Sequence, residues 1–376
     1  MSVYCTAPWN GLTIRENGEV KTCCVGRTTL GNLNTDSIQA IESGNILSSL
    51  RKSMLQTKPD LDNCRDCIDH ESRSGLSSLR QHYLTHYPNI DNLQLQFLDI
   101  RWNNTCNLGC MYCSPLFSST WVDRLSIDKK ITPVRPYQDQ LLEWILERSD
   151  HVKEIMLVGG EPMLMKQNYA LLKRLPQDCR ISIITNLSYD LEHLPCIDSL
   201  LSRPTDCVVW NVSLENTGQQ FEYVRNGANW PQVENNLKYI ANRWPVSISI
   251  VYSIFSAFEL VDTIKALHQL GIKKFNFMPV GGVPEIDIFR MPEEIKLAAS
   301  KELESAVRWH TESLHPEDRD LYPMVGVEPL LASLQLPTLN PITQEELKNK
   351  IKWFDSWNTN RFEDLWPNTV LHLLKK

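Results

Sequence analysis

From Gln94 onward, short strand-like runs alternate with amphipathic stretches, and this alternation constrains the fold more than any other feature of the chain. The runs recur at Phe97–Asn103, Glu154–Val158, Arg180–Thr185, Cys207–Ser213, Val246–Tyr252 and Lys274–Met278. Between them, helical spacing appears at Tyr137–Arg148, Gln167–Leu175, Pro231–Arg243 and Ala257–Leu270. Short strands separated by helices form βα units and a parallel sheet. Six such units over residues 94–284 fall short of a closed eight-stranded barrel. After Pro284 the pattern becomes helical, at Pro292–Leu314 and Gln344–Trp353, and residues 285–376 read as an extension that packs on the core or covers its mouth.

The first 75 residues are different. Gly11–Arg15 and Glu19–Thr22 are strand-like, with turn chemistry at Glu16-Asn17-Gly18 between them. A helix over Ser37–Leu55 follows, and residues 76–93 form a polar linker with a helix around Leu76–Tyr87. This segment holds Cys5, Cys23, Cys24, Cys64 and Cys67, and no cysteine follows Cys207. A unit this small needs a staple, and the hairpin with the Cys64-x-x-Cys67 pair can gather four thiolates. Four thiolates suit a structural zinc as well as an iron–sulfur cluster.

The N-terminus lacks the basic-then-apolar pattern of a signal peptide, and no run approaches the ~20 apolar residues that span a bilayer. A cytoplasmic protein is expected, away from membranes, with its eleven cysteines reduced and available for metal. The net charge of −7 argues against general nucleic-acid binding.

The chemistry centres on Cys106 to Cys113, CNLGCMYC, in the loop leaving the first core strand. Three cysteines are too few for a structural zinc. On a four-iron cluster they leave one iron open. Tyr112 is placed to cover such a cluster or stack on a bound base. Gly159-Gly160-Glu161-Pro162 follows the second strand, where two glycines admit close backbone approach and Glu161 can accept from an ammonium. Cys179, Cys196 and Cys207 read as ordinary buried thiols.

CNLGCMYC resembles the CxxxCxΦC signature of radical S-adenosylmethionine (radical SAM) enzymes, and GGEP resembles that family's SAM-amino motif, one βα unit later as in the family. The resemblance implies a partial (β/α)6 barrel. It implies a [4Fe–4S] cluster on Cys106, Cys110 and Cys113 that binds SAM and releases a 5'-deoxyadenosyl radical. It places Thr185 and Asn186 near the nucleoside, Ser213 and Arg225 at the SAM carboxylate, and Met278 beside the adenine. Many relatives carry Asp where this chain has Glu215, whose role stays open. Cys5, Cys23, Cys64 and Cys67 resemble a twitch module, a shortened SPASM domain, with an auxiliary [4Fe–4S] cluster; Cys24 competes with Cys23. Such modules usually follow the barrel, whereas this one precedes it. The expected substrate is a peptide or protein, with a flavodoxin or ferredoxin as electron donor. The alternatives are the same chemistry on a small metabolite or sugar nucleotide, and a zinc-stapled binding protein without catalysis.

Overall fold

All six expected core strands are present in the computed structural model, which describes residues 4–56, 62–74, 78–90, 94–127, 137–367 and 369. The chain packs as two compact units, one of residues 1–106, 115–184 and 193–208, the other of 107–114, 185–192 and 209–376.

In the first unit, α1 (Ala7–Asn10) leads into the hairpin β1 (Gly11–Ile14) and β2 (Glu19–Lys21), joined by β3 (Gly31–Asn32). Gly18 supplies the left-handed turn residue at φ +85°, and the Asn17 side chain accepts from the Glu19 N–H. The helix expected over 37–55 is two, α2 (Ile38–Glu42) and α3 (Asn45–Met54). The break is at Gly44, extended at ψ 154° and too close to the Ala40 and Ile41 carbonyls for a side chain to fit easily. Next come α4 (Arg65–Ser74), not foreseen, and α5 (Leu79–His86). Tyr83 of α5 is fully buried, its carbonyl accepting from Thr6 Oγ1 at 3.1 Å. The segment read as a linker therefore packs on the cysteine-rich hairpin.

Strands β4 (Phe97–Ile100), β5 (Glu154–Leu157) and β6 (Arg180–Thr185) run parallel, with α6 (Ser119–Arg124), α7 (Tyr137–Leu146), α8 (Lys166–Arg174) and α9 (Ile197–Leu201) between and after them. Two register rows, Leu98–Ile155–Ile181 and Ile100–Leu157–Ile183, are wholly buried. Each such side chain contributes about 1.5–3 kcal/mol of apolar burial. The strand expected to reach Asn103 ends at Ile100, and the fully buried Trp102 instead donates its indole N–H to Asn168 Oδ1 at 2.7 Å. The unforeseen feature is that β1 pairs in parallel with β4, Gly11 beside Phe97 through Ile14 beside Ile100. Gln96 Nε2 donates to Asn10 Oδ1 at 2.6 Å where the two strands begin.

In the second unit β7 (Val208–Ser213), β8 (Val246–Tyr252) and β9 (Phe275–Pro279) run parallel. Helices α10 (Gly218–Val224), α11 (Trp230–Ala241) and α12 (Leu260–Gln269) connect them, followed by α13 (Glu293–Ser313). A short β10 (Met324–Val325) adds to β9 in parallel and enters α14 (Val327–Gln335) through Gly326, where a side chain would meet the Phe277 carbonyl at 2.2 Å. The tail closes with α15 (Gln344–Asp355), started by a Thr343–Glu346 capping box, and α16 (Phe362–Leu365). Trp366 packs edge-on to Tyr223 of α10 at 5.2 Å and donates to the Phe255 carbonyl at 2.9 Å. The tail thus lies on the ends of the βα units that precede it. Among the described residues no helix is long and apolar enough to cross a membrane.

Candidate functional site

Between β4 and α6 the chain runs through CNLGCMYC, and its anchors are local. In the first unit Ser119 Oγ accepts from the Cys106 N–H at 3.1 Å, and Thr120 Oγ1 donates to the Cys106 carbonyl at 2.8 Å. The start of α6 therefore fixes the first cysteine. Within the second unit Gly109 and Met111 donate backbone N–H groups to the Asn226 and Val224 carbonyls at 2.9 and 2.8 Å. Cys113 N–H closes a turn onto the Cys110 carbonyl at 3.0 Å. Cys110 is buried and Cys106 and Cys113 are half-buried, and none of the three is in a disulfide.

Arg225, after α10, points at Cys110, with Nη1 3.8 Å from Sγ. Its fork is occupied by Glu215: Nε and Nη2 donate to the two carboxylate oxygens at 3.0 and 2.9 Å. Both residues are almost wholly buried. Burial works against the Arg225 charge, and Glu215, Tyr112 and Cys110 outweigh it, so the guanidinium is held above its ordinary value. The Tyr112 hydroxyl donates to Glu215 Oε1 at 2.9 Å, and its ring lies 5.6 Å from the guanidinium carbon. Burial raises the Tyr112 hydroxyl well above its ordinary range, Arg225 opposing and Glu215 assisting. Glu215, left open by the sequence, is thus the anchor of a Tyr112–Glu215–Arg225 group beside Cys110.

The glycines of GGEP answer to close packing. Gly159 adopts φ +135°, and a side chain on Gly160 would meet the Thr105 carbonyl at 2.2 Å. The Glu161 N–H donates to Thr105 O at 2.8 Å, so this turn lies against the residues that introduce Cys106. Glu161 is fully buried, its Oε1 accepting from the Met163 N–H at 3.1 Å, with Pro162 opening the short turn.

Thr185 and Asn186 organise the chain after β6: Thr185 Oγ1 accepts from the Leu187 N–H, and Asn186 Nδ2 donates to Asn107 Oδ1 at 3.0 Å. Asn107, inside the cysteine motif, escaped the sequence reading because polar loop residues give no periodic signal. Asn226 escaped for the same reason. It holds the motif through its carbonyl and the tail through Nδ2, which donates to the Trp357 carbonyl and Asn358 Oδ1, each at 2.7 Å. Ser213 ends β7 in register with Ser249. Met278 is 45% exposed on β9. Cys179 and Cys196 are buried as expected, but Cys207 is half-exposed.

The N-terminal thiols form a second group. Cys5, Cys23 and Cys67 are buried and Cys64 is half-buried. Burial pushes the Cys5 thiol up to about 12, with Cys64 and Cys67 adding to the rise. Cys23 is raised by burial and by the charges of Cys5, Cys24, Cys64 and Cys67. Cys24 responds after burial to Asp99, Arg101 and Arg15, so it faces another neighbourhood. Asn63, unflagged by the sequence, ties the pair to the hairpin: its Oδ1 accepts from the Thr28 N–H at 2.8 Å, and its Nδ2 approaches Cys64 Sγ at 3.8 Å. Among the described residues no three His, Cys, Asp or Glu side chains stand close enough to share a single metal ion. The four thiols do fit an iron–sulfur cluster in donor chemistry, since thiolates are its usual ligands.

Parallel βα units, a three-cysteine loop at the end of β4 and a four-thiol module ahead of it describe a cysteine-rich α/β protein. The family model described as the radical SAM superfamily matches residues 100–256, and the SPASM model, an iron–sulfur cluster-binding domain, matches residues 5–68. Residues 100–256 thus carry a radical SAM domain, and residues 5–68 an auxiliary iron–sulfur cluster-binding domain. The first domain is that of a SAM-binding [4Fe–4S] cluster, the second that of auxiliary iron–sulfur.

No curated protein matches the chain. Similar solved structures include "Native anSMEcpe with bound AdoMet", at 14% identity and TM-score 0.41, covering 61% of this chain and 63% of that one. Streptococcus suis SuiB bound to S-adenosylmethionine is similar at 17% identity and TM-score 0.36, covering 63% of this chain and 51% of that one. The chain thus spans about three fifths of the first protein and half of the second.

Proposed function

We propose that the protein cleaves SAM reductively and uses the resulting radical to abstract hydrogen from a peptide or protein. Cys106, Cys110 and Cys113 would hold the reducible cluster, which with SAM bound supplies one-electron cleavage of the sulfonium to a 5'-deoxyadenosyl radical. The observation that carries this reading is the CNLGCMYC loop, whose backbone is pinned at Cys106, Gly109 and Met111 and whose three cysteines form no disulfide.

The protein's own residues orient and exclude. The Glu215–Arg225 pair keeps a fixed positive charge beside Cys110, which favours its thiolate. Gly160 and the Thr105 carbonyl set how closely the GGEP turn packs on the residues before Cys106, and Glu161 of that turn would receive the SAM amino group. Cys5, Cys23, Cys64 and Cys67 would hold an auxiliary [4Fe–4S] cluster, with Cys23 favoured over Cys24 because Cys23 feels Cys5, Cys64 and Cys67 whereas Cys24 feels Asp99, Arg101 and Arg15. A peptide or protein substrate rests on the presence of that auxiliary domain, and a flavodoxin or ferredoxin would donate the electron.

Anaerobically reconstituted protein reduced with dithionite should form 5'-deoxyadenosine and methionine from SAM. Replacing Cys106, Cys110 and Cys113 together with alanine should abolish this and leave the N-terminal iron. Persistence of 5'-deoxyadenosine in the triple variant would overturn the assignment.

A further inference from the structure

Three buried oxygen atoms of the first unit have no hydrogen-bond partner: Thr13 Oγ1, Glu16 Oε2 and Asp99 Oδ2. They belong to one group at the C-terminal ends of β1 and β4. Thr13 and Asp99 are register partners on these parallel strands, so their side chains stand side by side on one face of the sheet. Arg101 ties in the third member. Its Nη1 donates to Asp99 Oδ1 at 2.8 Å, and its Nε lies 3.7 Å from Glu16 Oε2, an ion-pair distance without a hydrogen bond. Thr13 is fully buried, Asp99 is 1% exposed and Glu16 4%.

Charge and hydrogen bonding are both out of balance here. Two buried carboxylates share the Arg101 guanidinium, and the next cation, Arg15, is more exposed and stands 4.0 Å from Glu16. Burial pushes the Asp99 carboxyl up, with Arg101 and Arg15 opposing and Glu16 adding to the rise. Buried acceptors without a donor are costly in a native structure. Three of them in one group, one a neutral hydroxyl and two on carboxylates, call for a cationic donor that serves all three.

We propose that this group binds a primary alkylammonium, the head of a lysine side chain or of a free amine. Its three N–H bonds match the three open acceptors, Thr13 Oγ1, Glu16 Oε2 and Asp99 Oδ2. Its single charge completes the balance of two carboxylates against Arg101. Only the small ammonium head has to enter. The alkyl chain leaves along the same sheet face, where Met156, the register partner of Asp99 on β5, is half-buried and Arg101 keeps 16% of its side chain in solvent. Asp99 lies near the end of β4 from which the cysteine loop departs, so a bound amine sits at the end of the sheet that carries Cys106. Use of a lysine as the handle of a peptide substrate rests on the reaction proposed above; the ammonium site itself does not.

The test is calorimetric titration of the full-length, cluster-loaded protein, without SAM, with n-butylammonium, n-butyltrimethylammonium and potassium chloride. The two organic cations share a charge and a chain, and only the first has N–H donors. n-Butylammonium should bind at least ~10-fold more tightly than either of the others, as charge-assisted hydrogen bonds to buried acceptors require. Thr13→Val keeps the shape and removes only the hydroxyl. It should weaken n-butylammonium by ~3-fold or more and leave the melting temperature of the unliganded protein unchanged or raised, because an unmet hydroxyl stabilises nothing. Equal affinity for the two organic cations, tighter binding of potassium, or no heat from n-butylammonium at millimolar concentration (a site for water only) overturns the proposal. That comparison uses the unmodified protein and so holds even if Thr13→Val fails to fold. A folded Thr13→Val variant with full affinity also overturns it. Titration with N-acetyl-lysine amide then separates the sources. Tighter binding than n-butylammonium assigns the amine to a peptide side chain and weaker binding to a free amine, and either supports the site. None of these titrations involves SAM cleavage, so the site and the reaction fail separately.

Discussion

Glu215→Ala tests whether the group beside Cys110 is a structural pair. Glu215 is 1% exposed and Arg225 4%, and two hydrogen bonds of 3.0 and 2.9 Å join them. Removing the carboxylate leaves a buried guanidinium beside the Cys110 thiol and the Tyr112 ring, and it also strips the Tyr112 hydroxyl of its acceptor. Breaking a buried pair from one side typically costs about 3–5 kcal/mol, and the orphaned tyrosine adds about 1 kcal/mol. Urea unfolding of metal-free protein, followed by far-ultraviolet circular dichroism, should show a loss in that range. The double variant Glu215→Leu with Arg225→Met should recover much of the loss, because it removes both charges together. A single-variant loss under about 1 kcal/mol, or a double variant no better than the single, would refute the reasoning.

Glu161→Gln should weaken SAM binding by ~10-fold or more with iron content intact, since a charge-assisted hydrogen bond to an ammonium is worth about 1.5–3 kcal/mol; equilibrium dialysis decides it. Gly160→Ala should lower iron retention on the barrel's cysteines and destabilise the fold by about 1–3 kcal/mol, because its side chain would meet the Thr105 carbonyl; iron analysis with thermal melts would show otherwise if both were unchanged. Burial pushes the Glu259 carboxyl up to about 7, with Thr369 opposing and Glu302 assisting. The native state then holds that proton more tightly than the unfolded chain. Stability from this group is full below the ordinary value of 4.5 and is lost as pH rises through about 7, on the order of 2–3 kcal/mol after screening. Glu259→Gln should flatten that slope in melts taken from pH 4.5 to 8. Cys64→Ala with Cys67→Ala should cut the iron of reconstituted protein by about half, and an unchanged iron content would remove those residues from the auxiliary site.

Much of this was legible in the chain before folding. Each core strand was visible because a half-buried or buried strand must carry β-formers bounded by turns, and β6 and β8 match their expected limits residue for residue. Strand β10 and helix α14 were invisible because the element is two residues long and depends on Gly326 passing the Phe277 carbonyl. The Ser43-Gly44 break was missed because the apolar spacing continues across it. The thiols could be read from spacing, but Asn63, Asn107 and Asn226 could not. Their work is to join loops distant in sequence, and pairing of that kind leaves no mark on local composition. Glu215 was legible as a residue and not as a role, since nothing in the sequence says that its partner is Arg225.

The pairing of β1 with β4 has a consequence for how the chain comes together. The four N-terminal thiols are all synthesised before residue 68, but the strand that completes their hairpin's sheet arrives later, starting at Phe97. Asn10 must wait for Gln96, 86 residues on, before its side chain is satisfied. During that interval, several seconds at ordinary translation rates, the hairpin has an open edge and its thiols are exposed to whatever metal is at hand. A fragment ending near residue 75 keeps every one of these thiols yet freezes the chain in that unfinished state, whereas one extended through Ile100 closes the edge.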